Sequence, residues 1–211
     1  MKTLYIDTSS SYLYTALIED ESILKEIKEE FGQNLSEVAM PKIASMFTDT
    51  NTSPKEIDKI VVVNGPGSFT GIRIGITIAK VYAWSLNIPI TTVLSLEAMA
   101  LSSKNKTYHV PIINARRGYV FGAIYDENNK EILKPQHITI KDLQEKLSQY
   151  QEYEIITNDT FEEFNNTYKY NPDILKIVKY CQNKKNISPH AVNPEYLKLT
   201  EAEENKQWLL K

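Results

Sequence analysis

Residues 59–75 read Lys59-Ile60-Val61-Val62-Val63-Asn64-Gly65-Pro66-Gly67-Ser68-Phe69-Thr70-Gly71-Ile72-Arg73-Ile74-Gly75, and this stretch decides the fold. Its opening apolar run reads as a fully buried strand. A glycine-rich turn ends the strand, and an apolar pattern from about Phe69 to Leu86 reads as a long helix. A further strand pattern follows from Ile90 to Leu94. Strand, loop, helix and strand in this order form a βαβ unit, which makes the two strands parallel and the class α/β.

The turn itself invites a phosphate-binding reading, because free backbone N–H groups at a helix start attract anions. The spacing disagrees. A P-loop ends in Gly-Lys-Ser/Thr, which is absent, and Gly65, Gly67 and Gly71 give G-x-G-x-x-x-G where a dinucleotide fingerprint needs G-x-G-x-x-G. The residues fit a structural loop better. Gly67, Gly71 and Gly75 recur every four positions, so they share one helical face and let a neighbouring backbone approach. Glycine inside a helix costs about 1 kcal/mol against alanine, so these positions need an offsetting contact. The rest of the helix carries two apolar stripes, one of Ile72, Ile76, Ala79, Ala83 and Leu86, the other of Ile74, Ile78, Val81 and Trp84. Thr70, Arg73, Thr77 and Lys80 form the polar strip between them. A surface helix ordinarily buries one stripe. Two imply burial against its own sheet and against another helix or another chain.

Upstream, residues 3–7 and 12–19 read as strands joined by a turn at Ser9-Ser10-Ser11, with residues 22–29 as a third strand of a meander. Leu35, Val38, Ala39, Ile43, Met46 and Phe47 then recur at helical spacing, with Pro41 inside the pattern as an expected kink. Ser53-Pro54-Lys55-Glu56 resembles a short helix start. Downstream, residues 101–108 are polar and read as a linker between a lobe of residues 1–105 and a smaller lobe of 106–211. The second lobe opens with a strand at 110–114, a turn at Arg117-Gly118, a strand from Tyr119 to Tyr125 and a turn at 126–129. A helix near 140–149, a strand at 153–157 and a helix near 160–168 follow.

The chain has 211 residues and a formal net charge of −3. That balance argues against avid nucleic-acid binding by the chain alone, since the basic pairs Arg116-Arg117 and Lys184-Lys185 are short. With one cysteine, Cys181, an internal disulfide is impossible. No apolar run reaches the roughly 18 residues of a membrane span and no signal peptide is visible, so a cytoplasmic location is expected. His109, His137 and His190 lie far apart and form no H-E-x-x-H or other close-spaced metal pair. There is no G-x-S-x-G elbow around Ser68. Asp7, at the end of the first strand beside Thr8-Ser9, reads as a turn carboxylate bonded to nearby N–H groups, although strand-end carboxylates also serve metal-bound phosphates. Glu29-Glu30, Glu162-Glu163 and Glu203-Glu204 read as solvated faces, and Cys181 lacks an adjacent base in sequence. No reaction centre assembles from these residues, and no cofactor or metal site is expected.

The stretch Asn64 to Gly75 resembles the signature of the bacterial TsaB (YeaZ-like) family of tRNA threonylcarbamoyladenosine synthesis. Ile6-Asp7-Thr8-Ser9, Ser95-Leu96-Glu97-Ala98, Asn114-Ala115-Arg116-Arg117-Gly118 and Pro194-Glu195-Tyr196-Leu197-Lys198 are similar to further family segments in the same order. The resemblance implies a two-lobed actin/Hsp70/sugar-kinase-like (ribonuclease H-like) fold of mixed sheets with flanking helices. It also implies a non-catalytic subunit that scaffolds the transferase TsaD by heterodimerisation, works with the ATPase TsaE, pairs with itself when alone and meets tRNA only through the complex. The metal-binding His-x-x-x-His of TsaD has no counterpart in Asn34-Leu35-Ser36-Glu37-Val38, so peptidase activity is not implied. Asp7-Thr8-Ser9 and Ile155-Ile156-Thr157-Asn158-Asp159 lack the glycines that kinases of this fold carry in their nucleotide turns, which argues against independent ATP hydrolysis. Asn114, Tyr119 and Phe121 replace the commoner Asp, Glu and Tyr of the second-lobe motif. The helices at 35–47 and 70–86 are the expected dimer face, with Leu35, Ala39, Ile43, Thr70, Arg73, Ile74 and Thr77 as contacts and Gly65, Gly67, Gly71 and Gly75 as the structural loop. An active small-molecule kinase or ATPase of this fold, and a self-sufficient homodimeric structural protein, are the alternatives.

Overall fold

The β-rich opening folds as an antiparallel meander of β1 (Lys2–Asp7), β2 (Tyr12–Glu19) and β3 (Ser22–Glu30) in a computed structural model that describes residues 1–105 and 107–198. The apolar run becomes β4 (Lys59–Val63), which lies parallel to β1 with Thr3 opposite Lys59, and β5 (Ile90–Val93) lies parallel to β4. The first sheet therefore has five strands in the order β3-β2-β1-β4-β5. β4 is buried at every position because both of its faces are covered.

α1 (Leu35–Asp49) and α2 (Phe69–Leu86) pack side by side on one face of this sheet. Pro41 sits on the exposed side of α1, and the helix runs through it to Asp49. Ser53 caps a short 3-10 turn at Pro54–Glu56, and Glu56 Oε1 in return accepts from the Ser53 N–H.

The second sheet has the order β10-β9-β6-β7-β8. Its strands are β6 (Tyr108–Arg116), β7 (Tyr119–Tyr125), β8 (Glu131–Thr139), β9 (Tyr153–Thr157) and β10 (Thr167–Lys169). α3 (Ser95–Leu101) and α5 (Ile174–Gln182) fill the space between the sheets, where Tyr5, Val61, Leu96, Ala123, Ile156 and Ile177 share one core. α4 (Ile140–Leu147) covers the opposite face of the second sheet with Leu143 and Leu147.

The expected helix near 160–168 is not formed. Phe161 and Phe164 imitate a helical face by their spacing, but they belong to an irregular segment that tucks both rings against the core between α4 and the second sheet, and β10 follows. Glu203-Glu204 lies outside the described residues.

After α5 the chain returns to the first sheet. Ile187 pairs with Ile90, Val192 is buried in the core that α1 and α2 form with the first sheet, and the Glu195 N–H donates to Asn64 O at 2.8 Å. Lys80 Nζ donates to Val192 O at 2.8 Å, which ties this returning segment to α2.

Candidate partner interface and interlobe cleft

The glycine-rich loop is stitched to the first turn of the same chain. The Ser68 N–H donates to Ser9 O at 2.7 Å, and Thr8 Oγ1 donates to Gly71 O at 2.7 Å. Ser68 caps α2 by accepting from the Gly71 N–H at 3.2 Å. A side chain at Gly67 or Gly71 would run into the backbone oxygens of Ser9 and Thr8, and one at Gly75 into Thr8 Oγ1. Gly65, at φ +113°, would place a Cβ 2.8 Å from Glu195 O. The backbone that the spaced glycines admit is thus the β1–β2 turn and the returning C-terminal segment. The Gly65-Pro66 bond is cis.

Asp7 is 1% exposed, and its Oδ1 accepts from the Ser9 N–H at 2.9 Å and the Ser9 hydroxyl at 2.7 Å. Burial pushes the carboxyl above its usual range while the Ser9 hydrogen bonds pull it part of the way back. The folded state therefore holds the Asp7 proton more tightly than the unfolded chain does. Wild-type stability from this group falls as pH rises from the unfolded carboxylate value towards the folded one. Asp7→Asn, which keeps an acceptor for Ser9, is expected to gain stability relative to wild type between pH 4 and pH 7 in urea unfolding. A loss of stability that grows as pH rises would show instead that the charge itself is needed.

A cleft of about 600 Å³ opens between the lobes. Ser9, Ser10, Ser68, Phe69 and Thr70 line one side, and Asn114, Arg116, Phe121, Asn158 and Asp159 the other. Asp7 is not among its lining residues. His109 is buried with its ring near Asn105 O, His137 stacks on Tyr119 at 4.5 Å, and His190 sits in a turn. Among the described residues no three His, Cys, Asp or Glu side chains converge as a metal site, and no helix is long and apolar enough to cross a membrane. Burial raises the Cys181 thiol to about 11.

The expected contact residues divide sharply. Leu35, Ala39 and Ile43 are 4%, 0% and 0% exposed, because the apolar stripe of α1 faces the chain's own sheet. They correct the expected interface: a partner cannot touch them without unpacking the core, and a charge at Ala39 would test folding instead of association. On α1 the outward line is Ser36, Met40 and Ala44. On α2, Thr70, Arg73 and Thr77 are exposed and Ile74 is half-buried. Of the first apolar stripe Ile72, Ile76, Ala79 and Ala83 are buried and Leu86 is half-buried; of the second, Ile78 is buried too, whereas Val81 and Trp84 are 54% and 69% exposed.

Thr70, Ile74, Thr77, Val81 and Trp84 thus form an outward seam with alternating steps of four and three. That period keeps a stripe facing a neighbouring helix. Phe69, 56% exposed, was not an expected contact. Its ring carries the Arg73 guanidinium at 3.8 Å and stacks with Tyr196 at 5.5 Å, while Arg73 Nε donates to the Tyr196 hydroxyl at 2.9 Å. The sequence signal for this cluster was the i, i+4 pair Phe69 and Arg73; the reach to Tyr196 depends on the returning segment.

Two five-stranded mixed sheets with flanking helices define a two-lobed α/β protein of the actin-like class. Residues 24–174 match the family model of TsaD, tRNA N6-adenosine threonylcarbamoyltransferase. The chain is 34% identical to the tRNA threonylcarbamoyladenosine biosynthesis protein TsaB of Bacillus subtilis, covering 96% of each chain. It is 32% identical to the Escherichia coli protein of the same name over 64% of each. YeaZ from Pseudomonas aeruginosa superposes with a TM-score of 0.73 at 16% identity, covering 93% of this chain and 99% of that one. The chain belongs to the TsaB (YeaZ-like) family.

Proposed function

We propose that this protein acts in tRNA threonylcarbamoyladenosine synthesis as a non-catalytic subunit that scaffolds a TsaD-type transferase, pairing its α1–α2 face with the equivalent helices of that enzyme. The role in the modification follows the names of the relatives. One observation carries the pairing: the outward seam from Thr70 to Trp84, apolar or small along its length and set at the period of a helix–helix contact. Met40 on α1, 42% exposed, extends it across the helix pair. With the partner absent, the same seam serves a second copy of this chain, because a two-fold axis brings one patch onto itself. The lobes of residues 1–105 and 106–211 are proposed to act as two units, with the returning segment as a strap between them. Recruitment of a TsaE-type ATPase follows assembly, in the cytoplasm.

Co-expression with the TsaD-type subunit from the same organism, followed by size-exclusion chromatography with light scattering, tests the reading. A heterodimer is expected, and a homodimer in its absence. Two monomers eluting separately at tens of micromolar would overturn it. Calorimetric titration with ATP and magnesium separates the kinase alternative: tight binding with turnover by the isolated chain would favour that enzyme.

A further inference from the structure

We propose that the β6–β7 hairpin tip, Arg116-Arg117, is a phosphate-contacting site for RNA held by the assembled complex; this rests on the function proposed above.

The chain has only three arginines among its 24 basic residues, and two stand side by side on this tip. Arginine matches phosphate oxygens with a planar fork of donors, which lysine lacks. Both side chains are exposed. Neither guanidinium has a hydrogen bond or ion pair among the described residues, whereas Lys2, Lys25, Lys28, Lys42, Lys179 and Lys184 are each within ion-pair distance of an acid. Asp159, at the base of the hairpin, accepts the Asn114 N–H at 2.8 Å and is not paired with the arginines.

The tip is held in a costly shape. Arg116 and Arg117 have φ of +66° and +54°, a region that disfavours side chains with a Cβ. The Arg116 N–H is anchored on Asn114 Oδ1 at 2.8 Å, which fixes the bulge where β6 and β7 fall out of register.

Two further features point to a nucleic acid over an acidic protein. The tip is flanked by flat rings: Tyr119, 38% exposed, stacks on His137 with an interplanar angle of 5°, and Phe121 lies beside them. Rings beside unpaired guanidiniums give the pairing of stacking surface and phosphate contact that single-stranded nucleic acids use. Arg116 also lines the same cleft as Phe69 and Thr70, so the tip borders the start of the proposed partner seam. The net charge of −3 makes two contacts a supplement to a partner's grip on RNA, not a free-standing RNA site.

The test compares the wild-type heterodimer with the R116E/R117E and R116K/R117K heterodimers in binding unmodified tRNA from 50 to 200 mM salt. Loss of two phosphate contacts is expected to lower the magnitude of the log affinity against log salt slope by about 2, with affinity at low salt falling about tenfold or more. The lysine variant keeps most of the slope. Unchanged slope and affinity in an R116E/R117E heterodimer of normal stoichiometry overturn the proposal while leaving the scaffold reading intact. Loss of the heterodimer itself in this variant assigns the tip to a protein contact and overturns it too. Failure of the wild-type chains to associate, by contrast, is a failure of the scaffold reading.

Discussion

Gly71→Ala is expected to destabilise the isolated protein by about 2 kcal/mol, lowering its melting temperature by roughly 4–8 °C at this chain length. Two effects oppose each other. Alanine is a better helix former than glycine by about 1 kcal/mol, and on an exposed helix the substitution would stabilise. Here the new methyl meets the Thr8 carbonyl oxygen, and Thr8 Oγ1 donates to Gly71 O at the same junction. Overpacking against backbone costs about 3 kcal/mol, so the clash outweighs the propensity. Gly122→Ala is the control: its added methyl meets only side-chain carbons at 3.5–3.6 Å, an ordinary contact distance. It is expected to change stability by less than about 1 kcal/mol in either direction. Equal melting temperatures for Gly71→Ala and wild type would show that the β1–β2 turn yields freely and that the glycine spacing is not a packing device.

The double variant Val81→Glu/Trp84→Glu is expected to weaken the heterodimer at least a hundredfold while leaving the fold unchanged. Truncating an aromatic anchor such as Trp84 costs about 2 kcal/mol or more, about thirtyfold in affinity. A charge facing an apolar partner surface adds a desolvation cost. Both residues are more than half exposed, so the isolated variant is expected to melt within a few degrees of wild type. Ser45→Glu, exposed on α1 but off the outward line, leaves association unchanged. If the double variant still co-elutes with the TsaD-type subunit at dilute concentration, the contact lies elsewhere on the molecule.

The first lobe was almost wholly legible in the sequence. β1 to β5, α1 and α2 follow from runs and periods that a single buried face imposes, and the glycine loop marks its own place between β4 and α2. The second lobe was less so, for identifiable reasons. β8 is an edge strand, half exposed and interrupted by Pro135, so it carries no clean alternation. α5 carries an amphipathic signature, with Asp173 as its cap and Ile174, Ile177, Val178 and Cys181 on one side. In the first lobe α3 is the exception: it is seven residues long and buried at six of them, which leaves no amphipathic signature to find.

The proposed partner face is legible in the sequence only in part. Periodicity in α1 and α2 reports which faces are buried, not what buries them. For Leu35, Ala39 and Ile43 the burying surface is the chain's own sheet. The outward side of α2 is distinguished only by exposure, together with the spacing that runs through Ile74, Val81 and Trp84.

The antiparallel bridge between Ile187 and Ile90 has a consequence for the order in which the molecule matures on the ribosome. Ile187 is made roughly a hundred residues after its partner, an interval of about 5–20 s at ordinary elongation rates. Throughout that time the nascent first sheet lacks the cover that Val192 later provides and the contact that Glu195 makes with Asn64. Early folding of this half is therefore provisional, and its final locking is a late, long-range event, of the kind that slows acquisition of the native state.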